Sequence, residues 1–231
     1  MTGEQRSIAP RRTLRALLAV AAASLVGACG GGGDSSDTLP DAAGSASTFL
    51  RGVIRTPPLY VGDVELPDES PAGGGEPFAM RAGDDGLLLV YFGYTTCPDI
   101  CPTTLADIGA ALRGMEAGRD RVEVAMVTFD PERDTGDVIN SYLDHFVEGG
   151  HALRPADAEQ QEKAQETFRV IARPVEENGR LDFEHTALTY VVDDAGVVLV
   201  EWPFGTAPED MRSDIEQLLD RVAEEAHKET Q

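Results

Sequence analysis

Basic residues are scarce in this chain. Its 231 residues hold 19 Lys and Arg against 41 Asp and Glu, a formal net charge of −22. No Lys/Arg cluster is present that would grip a phosphate backbone, which excludes nucleic acid as a partner. The acidity favours solubility and attracts cations weakly, without selecting one metal. Cysteine is scarcer still, at 3, and histidine numbers only 4. A long apolar run is missing: ALLAVAAASLV, at positions 16–26, is too short to span a bilayer as a mature helix. There is no internal repeat and no second shift of composition, so the length points to one sizeable core.

The N-terminus reads as an export signal. Arg6, Arg11, Arg12 and Arg15 precede the apolar run, and small residues follow it up to Cys29. V-G-A-C matches a bacterial lipoprotein cleavage box, with Cys29 as the lipid-bearing first mature residue. Arg11 and Arg12 leave both Sec and twin-arginine export open. We therefore expect a signal segment at 1–28 and a Gly/Ser/Asp-rich membrane tether at 29–48. A globular domain at 49–224 and a charged tail at 225–231 complete the chain. The segment 1–28 holds 4 Arg and 1 Glu, so its removal takes the net charge from −22 to −25. Assigning Cys29 to lipid leaves Cys97 and Cys101 as the only thiols of the fold, in a compartment that permits disulfides.

Within the domain, residues 50–80 are rich in Pro and Gly and read as an extended or hairpin section. LLLVYFG at 87–93 reads as a buried strand. Leu105, Ile108, Ala111 and Leu112 recur at helical spacing within Pro102–Met115. RVEVAMVTF at 121–129 is a second strand. A helix is expected over Thr135–Phe146, capped by Asp134 or Thr135, and another over 157–171. ALTYVV, the turn DDAG and VVLVEW form a hairpin, and an amphipathic helix runs from Pro208 to about Ala223. This order describes an α/β fold, with a central mixed β-sheet flanked by helices and an N-terminal β extension. A cysteine pair at the first strand-to-helix junction matches the thioredoxin-like architecture.

The stretch GYTTCPDICP places Cys97 at the mouth of a helix and Cys101 one turn on. Residues at i and i+4 share a face, so the sulfurs can converge. A helix N-terminus favours the thiolate. Thiolates serve both disulfide exchange and soft-metal binding. A third ligand decides between them. His227 falls in the charged tail, His145 in the helix SYLDHFVEG, and His151 after a Gly-Gly break. His185, in DFEHTALTYVV, sits just before the hairpin strand, on an edge that lies beside the cysteines in a thioredoxin-like fold. No proline occurs between 175 and 202, where oxidoreductases of that fold place a cis-proline. Two sulfurs and an imidazole suit copper in either oxidation state.

The chain resembles the Sco/SenC family in YFGYTTCPDICPTTL (91–105), VTFDPERDT (127–135) and HTALTYVVDDAG (185–196). The resemblance covers roughly 60–222 and implies a membrane-anchored metallochaperone rather than an enzyme. Copper would be held by Cys97, Cys101 and His185. The partner would be subunit II of cytochrome c oxidase, at its CuA centre, on the extracytoplasmic side. Other copper chaperones or thiol reductants are further partners. The alternative is a thiol–disulfide oxidoreductase that keeps the subunit's cysteines reduced, using Cys97 and Cys101 alone. Thr96 stands where many members have His, and Thr186 where Ser is common. In DPERDT, Asp130 is a candidate for tuning the site and Arg133 for touching a partner, against a plain turn and helix cap. Asp99 reads as a charge partner of the helix N-terminus.

Overall fold

The computed structural model describes residues 49–229, apart from Asn178. The expected signal segment, the tether and lipid-bearing Cys29 lie outside those residues. Among the described residues, no helix is long and apolar enough to cross a membrane.

The core is a five-stranded sheet. β3 (Leu87–Gly93) is buried at every position and lies in the middle, as its unbroken apolar run requires. β4 (Val122–Thr128) pairs parallel with it on one side and β8 (Leu188–Val192) antiparallel on the other. β5 (His151–Leu153) and β9 (Val198–Pro203) form the edges. Both edges are covered by the N-terminal section. Val53 bridges to Glu201 of β9, Tyr60 to Val197 just before it, and Asp68 to Leu153 of β5. Unpaired edge groups are thereby screened. β1 (Glu65–Pro67) and β2 (Pro77–Ala79) are the small antiparallel hairpin of that section, so the expected N-terminal β extension is present.

Side chains of β3 alternate between two faces. Phe92 meets Phe168 of α3 (Ala158–Phe168), ring centroids 5.0 Å apart, and Tyr190 of β8 at 6.2 Å. Tyr91 turns the other way, toward Cys101 of α1 (Ile100–Arg113). α1 packs beside α4 (Pro208–Glu229), which buries Met211, Ile215, Leu218, Leu219 and Val222 along one stripe. Each such fully buried side chain contributes about 1.5–3 kcal/mol before entropy is counted. Asp214 of α4 is buried and accepts from the backbone N–H of Arg51 and Gly52 and from Trp202 Nε1, at 2.7–2.9 Å. That carboxylate fastens the start of the domain to its last helix.

Several expectations shift. α2 spans only Gly136–Leu143, so His145 lies beyond it in a turn. Asp134 does not cap that helix. It is buried and accepts from Thr95 N, Thr95 Oγ1 and Thr128 Oγ1, while Thr135 is the N-cap residue without a side-chain bond. α4 continues to Glu229 and carries His227 within it, so helix runs five residues past the expected domain end at 224. β5 and a separate hairpin, β6 (Ala172–Glu177) with β7 (Arg180–His185), stand where no strand was expected.

Candidate metal centre

The loop after β3 brings the thiols together. Tyr94 O accepts from Cys97 N at 3.3 Å, turning the chain sharply before α1. Asp134 fastens the same loop through Thr95 N at 3.0 Å. Asp99 occupies the N-cap position without a side-chain bond, and its carboxylate is exposed. Pro102 sits in the first helical turn, where a missing N–H removes no bond. Gly93 makes room: a Cβ there would stand 3.0 Å from Cys101 Sγ and 2.7 Å from the Tyr91 ring. Any larger residue would push the sulfur or the ring aside.

Cys97 Sγ, Cys101 Sγ and a ring nitrogen of His185 lie within 4.8 Å of one another. Both cysteines are free thiols and buried, and His185 is half-buried. Cys101 N donates to Cys97 Sγ at 3.4 Å. The Cys101 thiol first, and then His185 and backbone amides, hold the Cys97 pKa well below its usual range, against the effect of burial. Cys101 moves the opposite way, because its thiol donates a hydrogen bond to Cys97 and because it is buried. Of the two, Cys97 is the thiol that ionises more readily, with Cys101 as its hydrogen-bond donor.

His185 is the last residue of β7. Its Nδ1 lies 3.0 Å from the carbonyl of Thr186, which can only accept. Nδ1 therefore carries a ring proton, and Nε2 is the nitrogen turned to the thiols, 3.9 Å from Cys101 Sγ. The ring packs between Phe129, at 5.0 Å, and Tyr94, at 6.0 Å. Such a carbonyl-held imidazole is the usual arrangement of a metal-binding histidine. The donor chemistry fits a soft or borderline ion: two sulfurs and one imidazole nitrogen, with no carboxylate among them. One further observation fits. The buried Tyr91 hydroxyl lies beside Cys101 and Thr104 yet makes no hydrogen bond of good geometry among the described residues. It is a donor free to meet a thiolate sulfur once Cys101 loses its proton.

The other candidates go elsewhere. His145 is exposed, and its Nδ1 bonds Ser141 O. His227 bonds Ala223 O on α4. His151 lies on β5 between two carboxylates. Asp130 accepts from Arg133 Nε, and Arg133 Nη2 donates to Leu181 O at 3.2 Å, so this arginine holds the β6–β7 hairpin. Sequence reasoning passed over Tyr91, Tyr94 and Asp182. The aromatic-rich run before Cys97 was a signal for the tyrosines. Nothing local marked Asp182.

A thioredoxin-like sheet carrying a dithiol at a helix mouth, with an imidazole closing the set, defines a class of thiol- and metal-handling domain. The SCO1/SenC family model matches residues 73–220, and the chain belongs to that family. An SCO2-like protein of Rickettsia felis is 31% identical over 155 residues, which is 65% of this chain and 72% of that protein. The structure of Bradyrhizobium japonicum ScoI with copper bound is 30% identical, with a TM-score of 0.58, over 70% of this chain and 97% of that one. BsSco, described as a member of the Sco family of cytochrome c oxidase assembly proteins with a disulfide switch, shares the fold. Its TM-score is 0.53 at 17% identity, over 74% of this chain and 98% of BsSco.

Proposed function

We propose that this protein binds copper at Cys97, Cys101 and His185 and serves the assembly of cytochrome c oxidase. The observation that carries the reading is the convergence of two sulfurs and a ring nitrogen of His185 within 4.8 Å. The copper-bound state of the Bradyrhizobium relative supports the choice of metal. The finer reading is delivery of copper to the CuA centre of subunit II. Cys29 would carry a lipid that holds the domain on the extracytoplasmic face of the plasma membrane, near membrane-bound partners. Copper is cargo here. An incoming thiol replaces one ligand at a time, which a three-donor set allows. Loading needs reduced cysteines, because a disulfide removes both sulfurs.

The test is anaerobic titration of the reduced chain, with Cys29→Ala to remove the stray thiol, followed by visible and EPR spectroscopy. One equivalent of Cu(II) should give a thiolate charge-transfer band that His185→Ala abolishes. Absence of the band together with no retention of Cu(I) would overturn the reading.

The acid-shifted Cys97 beside a protonated Cys101 favours one second reading, thiol–disulfide exchange. The Cys97 thiolate attacks a partner disulfide, Cys101 resolves the mixed disulfide, and the two electrons reduce the partner's cysteines as Cys97 and Cys101 become oxidised. That chemistry does not require His185. Full oxidase assembly with His185→Ala would favour it over copper delivery.

A further inference from the structure

His185 reaches the thiols on a segment outside the main sheet. β6 and β7 pair only with each other. The hairpin must therefore be held over the site by side chains, and two loops at the same end of the sheet supply them. The Tyr94 hydroxyl, three residues before Cys97, donates to Asp182 Oδ1 of β7. The same oxygen accepts from Phe183 N at 2.8 Å. Arg133, from the loop after β4, bonds the carbonyl of the neighbouring Leu181. Phe183 fills the gap, its ring 5.1 Å from Tyr94 and 6.3 Å from Phe129. Tyr94 is buried, so its ring cannot swing away without uncovering the core. One tyrosine thus touches all three parts: the cysteine loop through its backbone, Phe183 and His185 through its ring, and Asp182 through its hydroxyl.

We propose that Asp182 is a positioning residue: its bond to Tyr94 clamps β7 to the cysteine loop and so holds His185 against the two thiols. This rests on the copper reading of the site and adds how the third ligand is engaged and released. A closed clamp presents two sulfurs and a nitrogen. An open clamp leaves two sulfurs, a set that still retains Cu(I) but loses the imidazole that Cu(II) favours. The clamp therefore separates the two oxidation states, and a partner that displaces β7 would strip the nitrogen ligand first. The bond is charge-assisted and partly shielded, the kind whose loss is felt.

The test uses the full chain with Cys29→Ala. Without metal, amide hydrogen exchange is measured in β7 and β8. Asp182→Ala and Tyr94→Phe should each speed exchange in β7 about tenfold or more, the scale of a lost bond to a charged group, while β8 is unchanged. Asp182→Asn, which keeps an accepting oxygen, should restore protection. With copper, Cu(II) loss to a chelator should accelerate to a similar degree in Asp182→Ala, while Cu(I) retention holds. The same substitution should add nothing in a His185→Ala background, since Asp182 acts through His185. Unchanged β7 exchange in both Asp182→Ala and Tyr94→Phe would overturn the clamp. So would equal acceleration of Cu(II) loss with His185 absent. If His185→Ala binds copper as the parent does, the copper reading fails, and the metal-free exchange still decides the clamp.

Discussion

Two histidines, one on an edge strand of the main sheet and one on the hairpin outside it, show how surroundings set the role of one residue type. His151, on edge strand β5, has both nitrogens engaged. Nδ1 meets Asp68 Oδ2 at 2.7 Å and Nε2 meets Glu123 Oε1 at 3.3 Å. Phe78 covers the ring at 4.2 Å. Burial alone would lower its pKa, but the bonds to Glu123 and Asp68 raise it. Its bonds to Asp68 and Glu123 pin the N-terminal section to the sheet. His185 meets no carboxylate. A carbonyl accepts from its Nδ1, and its Nε2 faces sulfur. An imidazole between acids is drawn toward its charged form; an imidazole between a carbonyl and a thiol is placed to be a ligand.

The largest effects should separate the two on copper. Cys97→Ser or Cys101→Ser should reduce Cu(I) retention to background, read by anaerobic competition with a chelator. His185→Ala should weaken Cu(II) about 100-fold or more, above the loss seen when only a ligand's supporting partner is removed. His151→Ala should leave both unchanged. Copper loss in His151→Ala would break the comparison.

Stability should show the reverse order. His151→Leu leaves Asp68, buried beneath the hairpin, without its cation. We expect a loss of about 2–3 kcal/mol by denaturant titration, near the lower end for a broken buried pair because Glu123 is partly solvated. Asp68 keeps bonds from Ser70 N and Ala152 N, at 2.9 and 3.1 Å, which limits the damage. His185→Ala should change stability less.

The His151 cluster also sets a pH dependence. A raised folded pKa contributes stability that is complete below the unfolded value, about 6.5, and is lost as pH rises through the folded value. For Asp68 burial opposes the shift, but the bonds from His151 and Ser70 lower its pKa; for Glu123 the His151 bond lowers it. Their contribution is present above about pH 4 and is lost as pH falls through their folded values. The melting temperature of the parent should therefore peak between about pH 4.5 and 6.5 and fall on the alkaline side. His151→Leu should flatten that fall. A fall of equal size in His151→Leu would assign it to another group.

The contrast between these histidines was partly legible. The thiols stood out by spacing, and β3, α1, β4 and the β8–β9 hairpin by continuous or periodic apolar pattern. His185 was singled out by position and by family resemblance, whereas the partners of His151 come from residues 68 and 123, far along the chain. β5 is three residues long and follows two glycines, too short to show alternation. The β6–β7 hairpin escaped because its faces are not sorted into apolar and polar. Leu181 is exposed, Phe183 is half-buried and packs against Tyr94 and Phe129, and Pro174 lies within β6. Such a strand is stabilised by side-chain ties rather than by burying a face, and those ties are tertiary. Asp134 misled for the same reason. Beside a helix start it reads as a cap, while its bonds run back to Thr95 and Thr128.

The smallest expected effect tests what fixes the His185 tautomer. The residue after His185 is Thr186. Thr186 acts twice: its carbonyl oxygen accepts from Nδ1 at 3.0 Å, and its Oγ1 accepts from Ile171 N at 3.1 Å across the base of the hairpin. Serine retains the carbonyl and the hydroxyl and removes only a half-buried methyl group. Thr186→Ser should leave Cu(II) retention within about twofold, the size of a substitution that deletes no specific contact. Thr186→Val keeps the carbonyl but leaves Ile171 N without its side-chain acceptor, so the hairpin base should loosen while the ring proton stays on Nδ1. Nitrogen chemical shifts of His185 in the metal-free protein read this directly. If Val moved the proton to Nε2, the hydroxyl rather than the backbone would be what makes His185 a ligand.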